Sequence, residues 1–524
     1  MDEQKFLHTL LDYYRISLDE YNFLTREITE ADLPDPYKFD KMSEAVALVK
    51  DAMSKKEKIM VYGDYDADGV MSTSIIVKMF SYLHYRANYY IPSRYLDGYG
   101  LNLTRAKEIV EKGYNLLITV DNGISANEAI NYCKDNGMRV LIIDHHERGE
   151  ILPSADVILH PEISNFSKVK TSAGFASYMF ATALLGRVDH YLLTLGAISI
   201  VTDMMPLIDY NRDILRYAFS QYKYGKFPNI DLLSEGSRFD ETTIGMKIGP
   251  KINAVGRVIA NTNINRLVTY FTTDEEDIIF ELNNWLTSVN NERKVKSKSA
   301  IDNLEQFDEE ESAIIVLADC EEGLIGLVAN KISGDHNKPA IVFTKDSNDP
   351  NILKGSCRSP LGFNIVKALN ELSDLTLSAG GHPSAGGVTI EAKNFDVFSE
   401  KFKALAHSHP PHKLSGETIE IGLLDVNFIN YEILQSFSPF GEEWKTPVFT
   451  LRNIRTDSLQ FSRNGEHIMT NISRIVKLVG FNMNKKDVTV KPFIDVNGRI
   501  NFNSYNGQDY LQYVIEEILS EDNV

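Results

Sequence analysis

Apolar residues along this chain fall into short runs that end repeatedly in acid or imidazole. The first run, Lys58–Tyr62 (KIMVY), has the uninterrupted apolar character of a strand buried on both faces. It leads into Gly63-Asp64-Tyr65-Asp66-Ala67-Asp68-Gly69. From Val70 to Tyr82 the pattern is helical, and a short strand near Ala87–Ile91 follows it. Asn115–Val120 (NLLITV) then enters Asp121-Asn122-Gly123, and Arg139–Ile143 (RVLII) enters Asp144-His145-His146-Glu147. Between them Ser125 and Glu128 have the S-x-x-E spacing of a capping box, which predicts the start of the intervening helix. A further apolar run, Leu192–Val201, ends in Thr202-Asp203. This alternation predicts a parallel α/β sheet, and ligands bind such sheets beyond the carboxyl ends of the strands.

Alternate residues of an extended segment point the same way, so Asp64, Asp66 and Asp68 converge just past the first strand. Like charges that close need a cation or a proton to offset their repulsion. D-x-D-x-D-G also opens an EF-hand loop. Its twelfth position, where an EF-hand carries a bidentate Glu, is Ile75 here, and a strand rather than a helix precedes it. With Asp121, His145 and Asp203 at the other run ends, the donors are oxygen and imidazole without cysteine. That set suits manganese or magnesium and argues against a structural zinc.

The rest of the chain divides by pattern. Residues 1–50 read as a helical leader packed on a catalytic domain over 51–273. In that domain the loop IPSRYLDGYGL carries Arg94, and KIGPKINAVGR places a turn at Gly249-Pro250 and offers Lys251 and Arg257 to a nucleic-acid backbone. From 274 to 306 a helix uninterrupted by Gly or Pro connects two domains and carries Arg293, Lys294, Lys296 and Lys298. A second α/β unit over 307–406 begins with strands at Ser312–Leu317 and Pro339–Phe343. Its marks are Gly355-Ser356-Cys357-Arg358 and the turn-like run Gly380-Gly381-His382 to Gly387, where glycines let backbone amides approach an anion and His382 adds a donor. The stretch HSHPPHK opens a linker over 407–415. Across 416–524 short strands at Thr418–Ile421, Pro447–Arg452, Ser458–Phe461, His467–Asn471, Ile475–Phe481 and Asp487–Ile494 predict a small barrel or sandwich.

At 524 residues, 43% hydrophobic and 24% charged, the composition is that of a globular protein of several domains. A net charge of −19 argues against a nucleic-acid coating protein but leaves room for a local basic channel. No apolar run approaches membrane-spanning length, and the acidic start MDEQKF is unlike a signal peptide. Cys133, Cys320 and Cys357 lie far apart without metal spacing, as thiols in a reducing cytosol do, so a cytoplasmic protein without a membrane partner is expected.

The set GDYDADG, VDNG, DHH and TDMMP resembles the DHH phosphoesterase superfamily. The flanking matches IPSRYLDGYGL, KIGPKINAVGR, GGHPSAGG and PFGEEWKTPVF narrow the resemblance to the RecJ-type single-strand-specific exonucleases. It implies an α/β catalytic domain with a parallel sheet, a connecting helix, a second α/β DHH-associated domain, and a C-terminal small β-barrel of OB-fold type. It also implies hydrolysis of single-stranded DNA from the 5′ end to 5′-mononucleotides, in repair and recombination. Two divalent cations, manganese first and magnesium second, would be held by Asp64, Asp66, Asp121, His145 and Asp203. His146 would be a ligand or a partner of the phosphate, with Asp144 and Asp68 behind the ligands. Ser356 and Arg358 resemble a terminal-phosphate pocket, with Arg94 across the cleft, and Lys251, Arg257, Gly380, Gly381 and His382 complete the substrate set. Implied partners are single-stranded DNA and a helicase or single-strand-binding protein, around a monomer. The chain departs from the usual pattern at Tyr62, where many members have His, at Lys251, where Arg is usual, and at Glu442–Thr446, where Gly-Asn-Pro is usual. A DHH enzyme acting on oligoribonucleotides or cyclic dinucleotides and a DNA-binding relative without activity are the two rival readings. The leader and barrel oppose the first, and the intact acidic set opposes the second.

Overall fold

The structure is a computed structural model that describes residues 1–519 except 165, 167–168, 259–262, 305–306, 308–309, 347–348, 361, 410–416 and 506–507. Its first sheet is built from β1 (Ile59–Tyr62), β2 (Asn88–Tyr90), β3 (Leu116–Val120), β4 (Arg139–Ile143) and β5 (Val157–Leu159). All pairs are parallel and the order is β2-β1-β3-β4-β5. β1 and β3 are buried along their whole length, as their unbroken apolar runs require. The chain leaves β1 toward β2 and returns on the other side as β3, so a crevice opens between the ends of these two strands.

Two helices, Ala173–Leu185 and His190–Thr202, pack against the helix Ala67–Tyr82 that follows β1. Both are apolar nearly all round, which is how a helix buried on every side reads. The second is the run that ends at Asp203. Its start is set by Asp189, whose carboxylate accepts the backbone N–H groups of Tyr191 and Leu192.

Two local expectations are corrected here. The S-x-x-E box does not form: the helix Asn127–Asp135 has Ala126 as its cap, without a side-chain bond. The turn before it is held instead by Asp144, whose carboxylate accepts Ile124 N–H. Gly249-Pro250 is not a turn either. A π-helical turn, Ile244–Ile248, runs directly into the helix Gly249–Val258, and proline is tolerated in that first turn. Gly249 answers a packing need, since a Cβ there would lie 2.7 Å from Thr202 Cγ2.

The connecting helix spans Glu276–Asp302. Beyond it β6 (Ile314–Leu317), β7 (Ala340–Lys345), β8 (Ile352–Arg358), β9 (Ser378–His382) and β10 (Ala385–Glu391) form a sheet of order β6-β7-β8-β10-β9. The glycine-rich run is thus a hairpin of two strands and not a series of turns. β9 and β10 stack closely because Gly381 has φ +140° and no Cβ, which would fall 2.4 Å from Ala385 O. Along β8, Leu353, Gly355 and Cys357 face the core, while Lys354, Ser356 and Arg358 face the helix Glu322–His336.

Residues Glu30–Leu414 form one compact unit, and Met1–Thr29 with Ser415–Val524 form the other. In the second unit β11 (Ile419–Glu420), β12 (Phe449–Arg455), β13 (Ile468–Asn471), β14 (Val476–Gly480), β15 (Phe493–Tyr505) and β16 (Gln508–Leu519) are ordered β11-β12-β15-β16-β14-β13. Ser458–Phe461 contributes a single bridge to Ile468, and Asp487–Ile494 holds the end of a short helix, Lys485–Val488, then a turn and only the first two residues of β15. The leader divides at Thr29. Its helix Glu3–Tyr14 buries Phe6, Leu10 and Leu11 in the C-terminal core rather than on the catalytic domain, with Phe6 stacked on Phe449. The unusual loop at Glu442–Thr446 belongs to the same contact. Trp444 stacks at 4.4 Å on Tyr14 and donates from Nε1 to Phe437 O. Residues 410–415 of the expected linker, with His412, lie outside the described residues. No helix among the described residues is long and apolar enough to cross a membrane.

Candidate active site

β1, β3 and β4 deliver their acidic ends to the crevice. Asp66 caps the helix Ala67–Tyr82, accepting Gly69 N–H at 3.0 Å, and that helix folds so tightly on Asp64 that a Cβ on Gly69 would meet Asp64 O at 2.5 Å. Asp121 leaves β3 with φ +60°, a left-handed conformation that is costly for a residue with a side chain and typical of functional turns. Three overlapping groups result: Asp64, Asp66 and Asp121; Asp121, His145 and His146; and Asp68, His145 and Asp203. Within each group the donor atoms lie within 4.8 Å of one another.

Burial, and then the neighbouring carboxylates, raise Asp64, Asp121 and Asp203 well above the usual carboxylate range. Burial pushes the His145 imidazole down, toward the neutral form that binds metals. His145 Nε2 lies 3.3 Å from Asp121 Oδ1 and 3.4 Å from Asp203 Oδ2. Yet Asp64 Oδ1, Asp121 Oδ1, Asp203 Oδ2 and His145 Nε2 are all buried without a hydrogen-bond partner. Four converging donor atoms left without a hydrogen bond among the described residues are what a site for divalent cations requires, and the residues fit that group.

The other two acids of the set are fully engaged. Asp68 accepts from Ser72 Oγ, Ser199 Oγ, Gly174 N and Ala173 N, which turns its oxygens toward the two buried helices. Asp144 accepts from the N–H groups of His145 and His146 and from His146 Nδ1 at 2.8 Å. Burial alone would raise Asp144, but the His146 bond and Ile124 N–H hold it below its usual range. The same bond outweighs burial at His146 and raises it.

Sequence reasoning missed Tyr99, although it lies in the loop that carries Arg94. Its hydroxyl stands about equally far from both ring nitrogens of His146, 3.1 and 3.0 Å, and donates to Asp121 O. Tyr62 takes no part, because its hydroxyl donates to Gly100 O from within the core below the loop.

The substrate residues separate into those that are brought together and two that are not. Lys251 is buried, donates to Leu233 O and pairs with Glu235, so it does not reach toward a nucleic-acid backbone. It sits on the inward face of a helix where sequence placed it beyond a turn. Arg257, Arg94 and Arg358 do converge, with Arg293 of the connecting helix, a residue that the sequence pattern puts on a basic face, as a fourth member. Burial and these three neighbouring guanidiniums push Arg257 down to about 10, and Asp66 is close enough to oppose them. Arg94 lies over the Tyr65 ring at 4.3 Å, while Arg358 donates to Ser356 Oγ. In the second sheet Ala385 pairs with both Arg358 and His382, and Gly387 with both Ser356 and Gly380. Ser356, Arg358, Gly380 and His382 therefore share one sheet face, and Gly381 lies on the other.

Family models match in chain order: the DHH family, N-terminal domain, over residues 58–200, the DHHA1 domain over 310–408, and the RecJ OB domain over 419–517. The single-stranded-DNA-specific exonuclease RecJ of Bacillus subtilis is 32% identical over 511 residues, covering 93% of this chain. The chain spans 64% of that relative's length. RecJ of Haemophilus influenzae is 28% identical, with 98% of this chain and 96% of the relative covered. Among solved structures, RecJ of Thermus thermophilus in complex with Mn2+ shares the fold, with a TM-score of 0.82 at 22% identity, over 98% of this chain and 78% of that one. An exonuclease RecJ bound to manganese matches with a TM-score of 0.61 at 27% identity, over 74% of this chain and 96% of that one. With the DHH N-terminal domain, the DHHA1 domain and the RecJ OB domain following one another in this order, the chain belongs to the RecJ family.

Proposed function

We propose that this chain is a metal-dependent exonuclease that hydrolyses single-stranded DNA from its 5′ end to 5′-mononucleotides. The observation that carries this reading is adjacency. The unsatisfied donors of the carboxylate cluster lie beside an arginine pocket, with Asp66 near enough to Arg257 to act on its charge. Manganese or magnesium at Asp64, Asp66, Asp121, His145 and Asp203 would supply a water that ionises near neutral pH and positive charge for the phosphoryl oxygens.

The chain's own groups do the rest. Asp144 holds Nδ1 of His146 and favours its charged form, which leaves Nε2 to give a proton to the departing 3′ oxygen. Water adds to phosphorus, the bond from phosphorus to that oxygen breaks, and the remaining strand keeps a new 5′ phosphate. Ser356, Arg358 and Arg94 would hold the terminal phosphate, so that the scissile bond is always the first one. Each turnover thus regenerates the end that the pocket recognises.

Unpaired strands would reach the enzyme through a helicase or single-strand-binding protein, in the cytoplasm, with the enzyme acting as a monomer. Degradation of end-labelled DNA and RNA strands, with and without manganese, tests the reading. Mononucleotides released from the 5′ end of DNA only with metal are expected; digestion from the 3′ end overturns it.

A further inference from the structure

The backbone at His146 is fixed, but its ring has room to move. His146 N–H goes to Asp144 Oδ1, and His146 O lies 2.9 Å from His160 Nε2. The side chain is 41% exposed and borders a cavity of about 160 Å³, lined also by Asn122, Ile124 and Asp144. A cavity of about 150 Å³ holds a benzene ring, so this one can receive an imidazole. The bond from Nδ1 to Asp144 Oδ1 fixes one point of the ring and leaves it free to tilt about that contact.

Tyr99 supplies a second contact. Its hydroxyl lies 3.1 Å from Nδ1 and 3.0 Å from Nε2. Near-equal distances put the oxygen against the ring between the two nitrogens, out of line with either N–H, so the Nε2 proton stays available. The hydroxyl gives its own hydrogen to Asp121 O at 3.2 Å, which turns its lone pairs toward the imidazole.

The loop, more than side-chain packing, holds Tyr99 in this place, for the residue is 53% exposed. Gly98 and Gly100 on either side of it have φ +77° and +68°, a left-handed backbone that glycine adopts without strain. On one flank the Asp97 carboxylate accepts Ser93 N–H, the Tyr90 hydroxyl and Arg105 Nε. On the other, Gly100 O accepts the hydroxyl of Tyr62, the residue that stands where many relatives of this fold carry an imidazole. The chain is thus pinned before and after Tyr99.

We propose that Tyr99 is a positioning residue for the hydrolysis: its hydroxyl holds the His146 ring out of the adjoining cavity, with Nε2 toward the departing 3′ oxygen. This goes beyond the function proposed above and rests on its assignment of His146 as the proton donor. In the step itself Nε2 loses a proton, the departing oxygen gains it, and Tyr99 keeps its hydrogen on Asp121 O. Tyr99 acts through His146 and touches no reacting atom.

The test compares two 5′-phosphorylated single strands, one with an ordinary first linkage and one with sulfur in place of the departing 3′ oxygen. A thiolate leaves without a proton, because a thiol is a far stronger acid than an alcohol. Single-turnover rates and KM are measured for the wild-type full chain, Tyr99→Phe and His146→Gln with saturating manganese, after thermal melting has shown that each variant is folded. Tyr99→Phe should lower the rate on the oxygen-linked strand about tenfold with KM unchanged, and on the sulfur-linked strand by no more than about twofold. Equal losses on the two linkages, a loss confined to KM, or no loss at all overturns the proposal. His146→Gln should show the same contrast more strongly; if its losses are equal on both linkages, the proton-donor reading falls as well. A second measurement needs neither metal nor turnover. In metal-free chain carrying isotope-labelled histidine, the ring-nitrogen resonances of His146, identified by their absence in His146→Gln, should shift or broaden in Tyr99→Phe. Unchanged resonances would show that the hydroxyl does not hold the ring.

Discussion

His146 places Nδ1 2.8 Å from Oδ1 of Asp144, and the same carboxylate oxygen accepts the backbone N–H groups of His145 and His146. One buried acid therefore shapes the turn and sets the charge of the imidazole at its tip. Asp144→Asn should lower activity by about 10- to 100-fold, the usual cost of removing an acid that orients a metal-site imidazole. Because Asp144 raises His146, its loss should move the alkaline limb of the rate profile to lower pH. A kcat profile against pH checks this, and an unmoved limb would show that Asp144 only shapes the turn.

Asp203→Ala and His145→Ala should abolish hydrolysis while binding of single-stranded DNA largely survives. Each removes a buried donor atom that has no hydrogen-bond partner among the described residues. Calorimetry with manganese should show a lost or weakened site in both variants. Near-normal turnover by Asp203→Ala at limiting manganese would count against the assignment.

Asp64, Asp121 and Asp203 have folded-state pKa values raised above those of the unfolded chain. Their contribution to stability is therefore present at acid pH and is lost as pH rises through the raised values. Metal-free protein should weaken over that window, and manganese should restore it by replacing the protons. The rise in Tm on adding manganese should be larger at pH 8 than at pH 6, with proton release visible in buffers of different ionisation enthalpy. A pH-independent rise would refute the linkage.

Arg358→Ala should weaken activity on 5′-phosphorylated strands about 10- to 100-fold more than on 5′-hydroxyl strands, as the loss of a charge-assisted bond of about 1.5–3 kcal/mol predicts. Metal binding should be unchanged. Equal losses on both substrates would remove Arg358 from the terminal pocket.

Phe6→Ala should destabilise the unit formed by Met1–Thr29 and Ser415–Val524 by about 3–5 kcal/mol, since a fully buried ring stacked on Phe449 is removed. Melting followed separately at Trp444, which lies in that unit, and by calorimetry should show its transition shifted alone. A shift confined to the catalytic unit would place the N-terminal helix elsewhere.

The strand ends were legible because their signals are local. β4 matches its apolar run residue for residue, and β1 and β3 begin one residue inside theirs, so the acids that follow stand at the crevice whatever else the chain does. Which acids stay unsatisfied was not local. Asp66 and Asp68 occupy equivalent places in one motif, but Ser199 and the N–H groups of Ala173 and Gly174, more than a hundred residues away, engage Asp68. The same holds for the cations. Lys251 and Arg257 share one helix, and contacts with Leu233 and Glu235 engage the first while Tyr95 and Gly323 pack against the backbone of the second. The N-terminal helix shows only an amphipathic pattern, and the pattern cannot name the core that accepts Phe6 and Leu10. Sequence determined where donors lie along the backbone, through periodicities a few residues long. Tertiary structure decided which of them remain free for a cation or a phosphate, because competing partners arrive from distant segments.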